Sequence, residues 1–162
     1  MEPHTDPERE LLRHTVATLA YRAEKTLRDV PPHVPNLRIA AGTRTPAEIL
    51  AHMGDLMDWA LWLSKGEHVW HDSPPRQWAD DVARFFESLR AFDRFLASDV
   101  KPAAPPAKLF QGPVADALTH VGQIAMLRRL AGAPVRGENY FRADIVAGRV
   151  GADQSARRVE FD

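Results

Sequence analysis

Six large apolar residues between Trp78 and Leu96, namely Trp78, Val82, Phe85, Leu89, Phe92 and Leu96, recur at alternating intervals of four and three. Those intervals keep a stripe on one side of an α-helix, whereas a strand would scatter it over both faces. The pattern is the seam of a left-handed helical bundle. Phe86 and Phe95 lie outside the seam and widen the apolar surface enough to touch two neighbours. The rest of the chain must supply other helices to cover it.

Three further segments qualify. Thr5, Asp6 and Pro7 offer an N-cap and a first-turn proline, and Leu12, Val16, Leu19, Ala23 and Leu27 follow as a stripe. His14 and Tyr21 fall nearly opposite that stripe and read as surface positions unless a partner chain covers them. Pro31, Pro32 and Pro35 end the helix, and the chain down to Arg44 reads as a connection. The second helix starts at Thr45-Pro46-Ala47-Glu48, which combines an N-cap, a proline at the first helical position and the glutamate of a capping box. Ile49, Met53, Leu56, Ala60 and Leu63 are its stripe, and Gly66 ends it. From Ser98 to Pro113 the chain is proline-rich and aperiodic, a long crossover leading into a last helix over Gly112–Gly132. The expected fold is therefore all-α, a four-helix bundle with a long crossover loop before the last helix. One domain is expected over residues 1–162. Residues from about 134 to 162 would form a mostly irregular extension packed on it, with a helical turn near Tyr140 to Ile145 and a frayed SARRVEFD at the end.

Composition narrows the chemistry. A chain of 162 residues can bury one real core. A net charge of −1 offers no general attraction for nucleic acid or an acidic membrane. With no cysteine there is no thiolate nucleophile and no Cys-type zinc site, so a metal would have to use His, Asp, Glu or water. The start of the chain is charged and no apolar run reaches the ~20 residues of a membrane span, so the expected location is cytoplasmic.

The last helix carries the polar residues that most need explaining. Asp116, His120 and Gln123 fall within one narrow arc at ~100° per residue, among Ile124, Met126, Leu127 and Leu130, with Arg128 and Arg129 on the far side towards water. The acid and the imidazole should then point inward, and a carboxylate removed from water costs several kcal/mol unless it is paired or metal-bound. Two readings stay open. His120 can be a satisfied core histidine, with Asp116 favoured by the dipole of the first turn. Alternatively, Asp116 and His120, four residues apart, are a metal-ligand pair that needs a third ligand from another helix. His52 is the candidate, at the edge of the second helix's stripe beside Glu48, Asp55 and Trp59. Asp55 could accept a hydrogen bond from its other ring nitrogen, and a boundary histidine with a local aspartate is the plainer alternative. His68 and His71, in the loop with Trp70, form a rival pair, but a short loop holds ligands less well than packed helices, so the two histidines read as surface or pocket rim.

The stretches TPAEILAHMGDLMDWALWL with His52, HVGQIAMLRRLAG with His120, and the following PVRGENYF make the chain, from about Leu11 to Tyr140, resemble the DinB-like superfamily of four-helix bundle proteins. The resemblance implies an up-and-down bundle with a crossover, commonly a homodimer. It also implies a divalent metal held by three side chains, which map onto His52, Asp116 and His120. Asp116 departs from the family, which usually has histidine there. Two imidazoles and one carboxylate suit zinc, nickel, iron or manganese. The implied activity is that of a metal-dependent transferase using a low-molecular-weight thiol, with a metal-dependent hydrolase as runner-up. A non-catalytic, stress-related metal- or small-molecule-binding bundle with a degenerate site is the other reading. In an enzyme, Glu48 would supply acid or base, Gln123 or Asp55 would orient ligands, and Trp59 and Tyr140 would wall the pocket. The expected partner is a small molecule, with neither nucleic acid nor membrane.

Overall fold

The computed structural model describes residues 6–162. Helix α1 spans Pro7–Leu27, α2 Pro46–Ser64, α3 Trp78–Ala97, α4 Pro106–Leu109 and α5 Ala115–Leu130. Asp6 caps α1 by accepting from the amides of Glu8 and Arg9; Thr5 lies outside the described residues. The capping box of α2 forms in full, with Glu48 N–H donating to Thr45 Oγ1 and Thr45 N–H donating to the Glu48 carboxylate. α2 packs on α3 and α5, and α1 also packs on α3 and α5, so the four long helices close a ring around shared apolar side chains. Leu12, Val16, Leu19, Met53, Phe85, Leu89 and Phe92 are all buried in one continuous cluster. No helix among the described residues is long and apolar enough to cross a membrane.

The expected crossover is shorter than the sequence suggests. Irregular chain ends at Pro105, the N-cap of α4, and a turn of π-helix over Phe110–Val114 carries the backbone into α5 with Pro113 inside it. A π turn widens the backbone ring and relieves the clash that a proline makes with an α-helical carbonyl. A proline-rich stretch can therefore still be helical here.

Three surface expectations are overturned. Tyr21 is completely buried, and its hydroxyl donates to Glu138 at 2.5 Å. Arg128, expected in water, is buried and donates to Thr26 O and Arg28 O at 2.8 Å each and to Ala133 O at 2.9 Å, satisfying carbonyls at the end of α1. The C-terminal residues are not frayed: β2, Glu160–Phe161, pairs antiparallel with β1, Gly137–Glu138. Gly137 permits this pairing, since a Cβ there would meet the Phe161 ring. Lys25 binds Glu138 at 3.3 Å and Glu160 at 2.9 Å, and Arg157 pairs with Glu24 beneath the same strands. The C-terminal part of α1's polar face, from Tyr21 to Lys25, is thus covered by the chain's own end, while His14 stays exposed as expected.

Candidate metal centre

α2 and α5 lie side by side and bring His52 against Asp116 and His120. Nε2 of His52 lies 3.5 Å from Asp116 Oδ2, and Nε2 of His120 lies 3.5 Å from Asp116 Oδ1. The imidazoles meet edge to face with centroids 4.8 Å apart. One ligand atom from each of the three lies within 4.8 Å of the others, so the group can hold a metal ion. It is the one such group of three or more among the described residues.

The two His–Asp contacts, to different carboxylate oxygens, are longer than good hydrogen bonds and close to the ligand–ligand spacing around an ion, while the full trio spans up to 4.8 Å. Good N–H···O bonds are ~2.7–3.2 Å long. Two atoms each bonded at about 2.1 Å to one tetrahedral ion sit about 3.4 Å apart. The donor chemistry fits as well: Nδ1 of His120 lies 2.8 Å from Gln123 Oε1, a carbonyl that accepts a proton from Nδ1, and in that neutral tautomer the lone pair is on Nε2. Burial lowers the pKa of His52 below the ordinary value, helped by the nearby charges of Arg44 and His120 and opposed by Asp116. Its neutral form, the one that ligates, is thereby favoured.

One expectation needs correcting: His120 is buried as anticipated, but the Asp116 side chain is 47% exposed. The group therefore sits at the surface end of the α2–α5 seam and opens to solvent. Of the side chains on that arc, Ile124 and Leu127 are buried, whereas Gln123, Met126 and Leu130 are exposed.

The other predicted site residues divide. Asp55 does not serve His52. It is buried towards α3, accepting from Arg84 at 3.0 Å and from the amide and hydroxyl of Ser73 at 2.8 and 2.7 Å. Arg84 reaches it across Gly54, where a Cβ would come within 2.7 Å of the guanidinium. Glu48 borders a cleft beside His52 but is committed to the α2 cap and to Arg38 at 2.9 Å. Those contacts hold its carboxyl below the usual range, which opposes a role as base. Trp59 packs edge-on against Trp70, and Trp70 against His52, so Trp59 belongs to an aromatic wall one side chain removed from the ligands. Tyr140 is elsewhere: it packs on Tyr21 and Arg22 and borders a separate cavity between α1 and α5. The rival pair does not converge, because His68 packs on Trp59 and His71 binds Asp58 at 2.9 Å.

Sequence reasoning missed Arg44 and Ile39, which border the ligands from the connection before α2. Irregular chain has no period from which to read a facing direction. Set beside known proteins, the chain matches no family model, and no curated protein or solved structure matches it significantly.

Proposed function

We propose that His52, Asp116 and His120 hold one divalent metal ion in a DinB-like four-helix bundle, and that the protein is a metal-dependent enzyme using a low-molecular-weight thiol. The observation that carries this reading is the position of Asp116: its two carboxylate oxygens each face a different imidazole at 3.5 Å, from two different helices. A bound divalent ion would act as a Lewis acid and lower the pKa of a thiol or water. The chain has no cysteine, so the thiol has to come from a small molecule. Gln123 bonds Nδ1 of His120, and Trp70 packs edge-on beside His52. The exposure of Asp116 leaves an approach from solvent.

The commitment of Glu48 weighs against the runner-up, a hydrolase that would need a free base beside the nucleophilic water. The same commitment is what favours the second reading, a non-catalytic metal-binding bundle. Adding cysteine or glutathione to cobalt(II)-loaded protein separates them. A new near-ultraviolet sulfur-to-cobalt charge-transfer band supports the thiol reading, and an unchanged cobalt spectrum at saturating thiol overturns it.

A further inference from the structure

Two clefts flank the three ligand side chains, and Thr43 and Arg44 border both. The first, about 460 Å³, runs past His120 and Gln123 and is walled by Ile39, Ile49, Met126, Leu127 and Leu130. Ile39, Met126 and Leu130 are 54%, 50% and 61% exposed, and their clustering leaves an apolar trough open beside the ligands. A concave apolar surface with a few convergent polar groups is the usual form of a small-molecule site. The second cleft, about 400 Å³, is polar and opens beside His52, with Arg38, Glu48 and Asp72 on its rim.

Charge decides what the polar end can take. Arg38 is already paired with Glu48 at 2.9 Å. Arg44, at the junction of the two clefts, makes no ion pair among the described residues. A guanidinium is a planar fork that grips a carboxylate with two parallel hydrogen bonds. Asp72 and Asp116 add negative charge close by, so a single unpaired cation suits a singly charged group better than a phosphate dianion.

We propose that this site takes an amphiphilic monocarboxylate, with its carboxylate on Arg44 and its apolar tail in the trough of Ile39, Met126 and Leu130 beside His120. The assignment rests on the metal-centre reading for where the chemistry occurs, although its two anchoring contacts come from residues outside the ligand set.

Isothermal titration calorimetry with octanoate, 1-octanol and acetate tests it, on metal-free and zinc-loaded protein. Wild type, Arg44→Gln and Leu130→Glu are compared, with zinc content measured for each. Octanoate is expected to bind wild type in both forms at least about tenfold more tightly than either fragment. Arg44→Gln should weaken octanoate about tenfold and leave 1-octanol unchanged, whereas Leu130→Glu should weaken both. Octanoate that binds no better than 1-octanol, or that ignores Arg44→Gln, overturns the proposal. If zinc fails to load but octanoate binding keeps these dependences, the amphiphile assignment stands and the metal reading falls.

Discussion

Nδ1 of His120 and Oε1 of Gln123 lie 2.8 Å apart, one turn from each other on α5. The contact holds the ring with Nε2 towards Asp116, and removing it should cost affinity without removing a ligand. Gln123→Leu is expected to weaken zinc binding roughly 10–100-fold, the usual effect of losing a partner that orients a ligand. A chelator-competition titration reads this directly, and an affinity equal to wild type would assign Gln123 to the surface alone.

Asp116→His would replace the carboxylate of the proposed site with a third imidazole, still able to ligate. Because the Asp116 side chain is half exposed, the larger ring can be accommodated without repacking the core. Metal affinity should stay the same or rise, with an unchanged helical circular dichroism spectrum. A variant that no longer folds would mean that Asp116 braces the two histidines structurally.

Phe85, on α3, is fully buried in the core cluster and packs edge-on against Phe86. Phe85→Ala should destabilise the protein by roughly 3–5 kcal/mol through loss of burial and the cavity left behind. Denaturant unfolding with a nearly unchanged midpoint would show that the helix register is wrong.

Much of this arrangement is legible from local chemistry. Thr45 and Glu48 set the start of α2 through short-range capping, and that start aims His52. The stripes of α1 and α3 identify their buried faces because a helical period needs no knowledge of the partner. Tyr21, Asp55 and Arg128 were harder, since each is a polar side chain whose burial depends on a distant group. Glu138 lies 117 residues from Tyr21, Arg84 reaches Asp55 only across Gly54, and two of the carbonyls that Arg128 binds, those of Thr26 and Arg28, end another helix. Pairings of that kind leave no periodic trace. For the candidate site, the spacing of Asp116 and His120 was readable, but the opening of the site to solvent was not.

Glu160 ties the C-terminal strand to α1. Its hydrogen bond to Lys25, joined by the charges of Lys25, Arg136 and Arg157, holds its carboxyl below the usual value. A depressed folded pKa contributes stability that is complete above the unfolded value of about 4.3 and is lost as pH falls through the folded one. Glu160→Gln should therefore be less stable than wild type at pH 7, with the difference closing below about pH 4. Urea unfolding across that range checks it, and a gap independent of pH would contradict the ion pair.

The metal content of tag-free protein, measured by elemental mass spectrometry for wild type, His52→Ala and His120→Ala side by side, tests the central claim most directly. About one equivalent of a transition metal is expected in wild type, and none in either variant, with all three proteins equally helical. Stoichiometric metal in both variants, or none in wild type after incubation with zinc, nickel and manganese, would contradict it.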